Sequence, residues 1–366
     1  SSINAVDPKF KMPQVWKTSI AIDYAFPTSF PFSITGEFIY NKTVNGVCLQ
    51  DLNMKSPEGF ARLNGPDNRH IYPANYTFCK TSAYLLTNTN KGYGWNASFE
   101  LKMQPVEGLF INAAYAHVVA KELTGMPGTD ASSAFTYTPP IEGPNHASLH
   151  NSQYTEPDRF FVSLTYSDKS NNHFSAFFES WRGGANYSYM YANDINNDNY
   201  AYDSIYIPKD QNEIKFVSED DALRFWSYMT NDKYLSSHKG QYAGANAARS
   251  PWVHRIDFRL AQDFAFKVGN TIQKFQLSVS LENIANMINS EWGVQKWSCY
   301  QTSGSVFAIT PLTFDYAAYK TTGKPAFYMT SLDSKKAVMP TQSFSKYNND
   351  PTQCFRILFG LKYFFN

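Results

Sequence analysis

Apolar and polar residues alternate with a period of two along several separate stretches of the chain. The last stretch shows it best. Phe355, Ile357, Phe359, Leu361, Tyr363 and Phe365 fall on one face, while Arg356, Leu358, Gly360, Lys362 and Phe364 fall on the other. Period-two alternation predicts strands, because successive side chains of a strand point to opposite faces. Counting such stretches predicts nine strands, at 16–26, 32–41, 95–104, 109–119, 159–166, 174–181, 256–262, 274–282 and 355–365, with a bulge at Gly183-Gly184. Most carry a charged residue in mid-strand opposite an unbroken apolar stripe. That pattern suits a sheet with one apolar and one wet face.

The connections alternate in length. Short turns are expected at Pro27-Thr28-Ser29, 105–108, 168–172 and 267–270, and long connections at about 50–87, 124–157, 191–250 and 296–352. Tight turns at one end and long loops at the other are the rhythm of outer-membrane barrels. Aromatics cluster beside the short turns (Tyr24, Phe26, Phe30, Phe264, Phe266, Tyr363, Phe365), as in an interfacial girdle. In the third long connection, Ser218-Glu219-Asp220-Asp221 reads as a helix start. Leu223, Phe225, Trp226 and Met229 then recur at helical spacing. This helix either packs its loop onto the neighbours or forms a lid over a barrel mouth.

Composition narrows the classes. Aromatics make up 17% and charged residues 17%, with a net charge of +1. Nucleic acid as a partner has no electrostatic case. Mean hydropathy is −0.42, and no run approaches the ~18 apolar residues of a membrane helix. Motifs for catalysis are absent, so the expectation is not an enzyme, with no cofactor: there is no HExxH, GxSxG, P-loop or GxGxxG. His146 and His150 stand four apart in a Pro- and Gly-rich loop, which makes a poor metal pair. Asp194-x-Asn196-x-Asp198 resembles the start of a calcium loop. The turn glycine is missing and Ile205 stands where a carboxylate would close the loop, so a solvated polar loop is the expectation.

The C-terminal 360–366, Gly-Leu-Lys-Tyr-Phe-Phe-Asn, resembles the terminal aromatic strand that barrel-assembly machinery recognises, with Tyr363 and Phe365 as its signal. Residues 249–260 (RSPWVHRIDFRL) and 280–293 (SLENIANMINSEWG) resemble the antepenultimate and penultimate strands of TonB-dependent receptors. Residues 10–19 (FKMPQVWKTS) are similar to a strand start in the Oar-like, carboxypeptidase-regulatory-domain branch, related to SusC-like proteins. The resemblance implies an all-β fold: residues 1–366 as the C-terminal portion, about nine strands, of a 22-stranded transmembrane antiparallel barrel. It also implies long extracellular loops, one short loop helix, and a location in a Gram-negative outer membrane. Nothing resembling the family's plug domain or TonB box is seen. The expectation is therefore a fragment of a longer product, whose first and last strands pair with an N-terminal piece carrying the plug.

By that reading the chain supplies barrel wall and substrate-capture loops for active transport. Its implied partners are the N-terminal barrel part with its plug, the TonB complex through that part, outer-membrane lipids and lipopolysaccharide, the barrel assembly machinery and a surface lipoprotein. Lys17, Glu37, Glu100, Lys102, Arg259, Lys274, Glu282, Arg356 and Lys362 would face the lumen. Trp226, Tyr228 and Tyr234 are candidate loop contacts. The four cysteines are expected to pair as Cys48–Cys79 and Cys299–Cys354 at the oxidising outer ends. Two other functions remain open: a complete small porin or channel, and a secreted glycan-binding β-protein.

Overall fold

The computed structural model describes residues 2–182, 186–300, 307–332, 341–346 and 351–365. All nine expected strands are present: β1 (Gln14–Ala25), β2 (Phe32–Asp51), β3 (Gly92–Val106), β4 (Leu109–Glu122), β5 (Asp158–Ser167), β6 (Asn172–Arg182), β7 (Trp252–Val268), β8 (Thr271–Glu282) and β9 (Arg356–Phe364). Each pairs antiparallel with the next, so they form one meander in chain order. The bulge expected at Gly183-Gly184 lies outside the described residues.

Register turns the alternation of single strands into faces of the sheet. Tyr24, Ile34, Leu101, Ala113, Val162, Phe178 and Ile256 stand side by side across β1 to β7. One tier further towards the short turns, Phe258, Leu281 and Ile357 continue the same apolar face through β7, β8 and β9. This face is not covered: Ile22 is 67% exposed, Leu361 70% and Phe359 81%. The helices that pack on the wall strands, Ala131–Thr136 on β2 and Ile284–Ile288 on β7, do so at the end where the long connections lie. Among the described residues β1 pairs only with β2, and β9 only with β8, so the sheet does not close on itself.

The short connections are tight. Gly108 turns β3 into β4 with φ +82, and a Cβ there would sit 2.2 Å from the carbonyl oxygen of Ser167, so a side chain is excluded twice over. At the opposite end the long connections fold together. The strand Ser82–Thr89 extends the wall beside the outer half of β2, and Ser2–Val6 pairs in parallel with it. The third and fourth connections build a separate five-stranded sheet. Its central strand Ala308–Phe314 pairs in parallel with Asn186–Tyr191, which pairs antiparallel with Ala248–Arg249. Ala326–Met329 and Lys215–Phe216 complete the other side.

The largest buried cluster of the molecule sits here, around Tyr189, Tyr191, Phe225, Met229, Ile309 and Phe314. The wall is thus a single layer, and the core belongs to the cap formed by the loops. One loop helix was expected. The described residues hold five α-helices, the longest Glu219–Asn231, started by Ser218, whose hydroxyl accepts from the amide of Asp221 at 3.1 Å.

Candidate functional site

The charged residues expected on one side of the wall do share a face. Lys17 stands beside Asn41 and Gly94, Glu37 beside Ala21 and Ser98, Lys102 beside Ser33, and Glu282 beside Arg356, all opposite the apolar face. They form local ion pairs rather than converging on one centre. Lys102 reaches Glu100 at 2.9 Å and Arg356 reaches Glu282 at 3.9 Å. Arg159 and Glu179 pair at 2.5 Å, and Arg255 pairs with Asp257 at 2.9 Å. Arg259 donates to Gln276 at 3.4 Å, and Lys362 lies over the Phe364 ring. Lys274 stands beside Phe364 on the same face. This is a wetted, charge-laced surface and not a binding pocket.

At the short-turn end of the apolar face the aromatics do cluster. Phe26 stacks on Phe32 at 4.4 Å, Phe266 on Phe275 at 5.4 Å, and Tyr363 meets Phe275 at 4.7 Å and Phe365 at 4.6 Å.

The loop contacts expected from sequence are core residues. Trp226 is 9% exposed, and Tyr228 is buried with its hydroxyl 2.7 Å from Ser343 Oγ. Both lie on the buried stripe of the helix, while Leu223, placed on that stripe by spacing, is exposed. Tyr234 is half-buried, stacked between Tyr189 at 5.4 Å and His238 at 4.2 Å, and its hydroxyl accepts from the amide of Gly244. The helix packs the loops together, and these three side chains offer little surface to a ligand.

The expected disulfides are not formed; all four cysteines are free. Cys48 is buried on β2 opposite Thr87. Cys79 is held beside Asn53 by the amide pair Asn53 Nδ2 to Cys79 O (2.9 Å) and Cys79 N to Asn53 Oδ1 (2.7 Å). Cys79 thus sits with the turn that follows the end of β2 at Asp51, and Cys48 lies back within the strand. Cys299 packs against the cap core while Cys354 is exposed.

The most unusual chemistry is where a solvated loop was expected. Asn196 and Asp198 are fully buried, and Asp194, Asp198 and Asp203 bring carboxylate oxygens within 4.8 Å of one another. The loop folds on its own acids. Asp194 accepts from the amides of Asn196, Asn197 and Asn199, and Asp198 accepts from the amide of Tyr200. Asn197 and Asn199 take φ +63 and +68, so asparagine supplies the left-handed turn whose missing glycine had argued against a loop of this kind. The third carboxylate is Asp203, not the residue at the usual closing position.

A single guanidinium answers these acids. Arg69 is 0% exposed; it donates to Asp67 at 2.9 Å, to Asp203 at 2.9 Å and to the carbonyl of Ser204, between the rings of Tyr191 and Tyr242. Two carboxylates thus pair with the cation, and Asp194 and Asp198 lie close to the second of them, Asp203. Burial, and then the charge of Asp194, push the Asp198 carboxyl up to about 7; burial pushes Asp203 well above the usual range. The hard oxygen donors of the cluster (Asp194, Asp198, Asp203, with Asn196) are of the kind that Ca2+ takes. Sequence reading missed Arg69, Asp67 and Asp203, because they come from other connections or fall outside the loop spacing.

Comparison of the chain with family models, with curated proteins and with solved structures found no match.

Proposed function

We propose that this chain forms wall and outer surface of an outer-membrane β-barrel, of the TonB-dependent receptor type that its strand sequences resemble. The observation that carries the proposal is the exposed apolar face of a single-layer sheet. In water such a face would be buried by a second layer; among the described residues the wall strands have none, and the largest buried cluster lies in the cap. The dimensions agree with a bilayer. Ile256 and Phe266 bound the run of β7 on this face, apolar but for Gln262, which donates to the carbonyl of Ser170, and stand ten residues apart, roughly 33 Å along a strand. At the ~40° tilt of barrel strands this is about 25 Å of height, the size of the apolar band of an outer-membrane barrel.

The open edges extend the reading. In hydrocarbon each unpaired backbone group of β1 and β9 costs several kcal/mol, so both edges need partners. Nine antiparallel strands leave β1 and β9 running the same way. Antiparallel closure then needs an odd number of further strands between them. A second copy in the same orientation would offer only parallel edges, and a porin closed by this sheet alone would need β1 to pair with β9. Both count less well than a complementary piece of barrel, in which the plug and the TonB contact would reside. A secreted glycan binder leaves the apolar face unexplained.

In this reading the packed cap is the extracellular face, and substrate meets its surface before passing through the lumen beside Glu100, Arg259 and Arg356. The test is whole-cell topology. Protease added to intact cells should cut within the cap, and the chain should fractionate with the outer membrane and require detergent. A chain recovered in the soluble fraction without detergent would overturn the proposal.

A further inference from the structure

The apolar face changes character at the cap end. There, on the same face as Ile256 and Phe258, alternation places Trp252 and His254, and the cross-strand partner of Trp252 is Arg182. One strand over, Asp158 stands beside His117. Lys121, two positions beyond Val119 on this face, stands beside Tyr93 and Asn151. Arg249 joins the group from the cap, with Nη1 4.0 Å from Asp158 Oδ2. Arg182 and Arg249 therefore share one carboxylate, and Lys121 adds a third cation whose charged neighbour is Arg249.

That carboxylate is already in use. Its Oδ1 accepts from Tyr115 at 2.8 Å and faces His117 Nδ1 at 2.6 Å. Its Oδ2 faces Arg182 Nε at 3.4 Å, outside hydrogen-bond geometry, and this Nε is buried with no acceptor among the described residues. Lys121 has no carboxylate within ion-pair distance among the described residues. Burial and then the charge of Arg182 lower the pKa of Arg249. The cations are aromatically framed: the Arg182 guanidinium lies 5.3 Å over Trp252, and Trp95 meets His117 at 5.1 Å.

We propose that Lys121, Arg182 and Arg249 form a seat for the phosphate of an anionic lipid in the outer leaflet. This rests on the membrane reading of the sheet, which puts the cluster at headgroup height directly above the apolar band. A phosphate there would supply the acceptors that one carboxylate cannot, and acyl chains would run down the exposed apolar face. Elsewhere on the wall, cations such as Arg159 have their own carboxylate, Glu179, on the opposite face.

The test reconstitutes the protein into bilayers of phosphatidylcholine alone and of phosphatidylcholine with phosphatidylglycerol, and reads lipids retained by native mass spectrometry together with the melting temperature. Free inorganic phosphate is added in a third arm. The anionic lipid should be retained preferentially and should raise the melting temperature, whereas free phosphate should do neither. The double variant Lys121→Gln/Arg249→Gln should lose on the order of thirty-fold of the preference, at about fivefold per cation. Arg159→Gln, on the other face, should lose none. Insertion without anionic preference, an equal effect of Arg159→Gln, or saturation by free phosphate would each overturn the lipid seat while leaving the barrel reading intact. Failure to insert into either bilayer would overturn both.

Discussion

Replacing Arg69 by Met tests whether the cap is held by this buried guanidinium. The side chain is fully buried and joins two of the long connections: Asp67 from the first, Asp203 and the carbonyl of Ser204 from the third, with Tyr191 and Tyr242 on its faces. Met fills much of the volume but leaves Asp67 and Asp203 buried without a counter-charge. Breaking a buried pair in this way costs about 3–5 kcal/mol. Hydrogen exchange read on the strands Asn186–Tyr191 and Ala308–Phe314 reports opening of the cap separately from the wall. Their protection should fall by about two to three and a half decades, at about 1.4 kcal/mol per decade. Protection of β3 and β7 should stay within a factor of a few. Adding Asp67→Asn and Asp203→Asn to the Arg69→Met chain should restore most of the loss, since no charge then remains unpaired. Cap protection unchanged by Arg69→Met, or a triple variant as weak as the single one, would refute the electrostatic account.

Three further outcomes follow from the same geometry. Asp198 has a raised native pKa of about 7 against an ordinary 3.8; its contribution to cap stability is present below that ordinary value and is lost as pH rises towards 7. At about 1.4 kcal/mol per unit this amounts to roughly 4 kcal/mol, so cap melting should fall from pH 5 to pH 8, and Asp198→Asn should flatten the slope. Maleimide labelling of the native protein should modify the exposed Cys79 and Cys354 at once, and the buried Cys48 only on unfolding; protection of Cys79 and Cys354 that reductant removes would instead reinstate the disulfides. Phe359→Arg, at the exposed centre of β9, should cost about 2–4 kcal/mol of stability in a bilayer and far less in the opposite-facing Leu358→Arg.

The wall was legible because each strand carries its own signal. Phe359 and Arg356 declare opposite faces whatever the neighbouring strand is, and register only had to line up faces already marked. The cap was not legible, because its information is non-local. Tyr189 meets Ile309 across about 120 residues of chain in a parallel pairing that neither segment signals by itself. Trp226 and Tyr228 look like available loop aromatics in a one-dimensional reading and become core once a second loop covers them. The acidic site was hidden by a template. Asn199 does the work of the absent glycine, and Asp203 lies two residues short of the position where a closing carboxylate was sought.

The central claim is that one face of the nine-stranded sheet meets lipid. Single nitroxide labels at Ile22, Phe99 and Phe359 on the apolar face, and at Asp23, Glu100 and Leu358 on the other, would be compared in bilayers by their accessibility to oxygen and to a water-soluble nickel chelate. The account predicts oxygen-rich, chelate-poor environments at the first three and the reverse at the second three, alternating residue by residue between Phe99 and Glu100. Chelate access at Phe99 and Phe359 equal to that at Glu100 and Leu358 would contradict it.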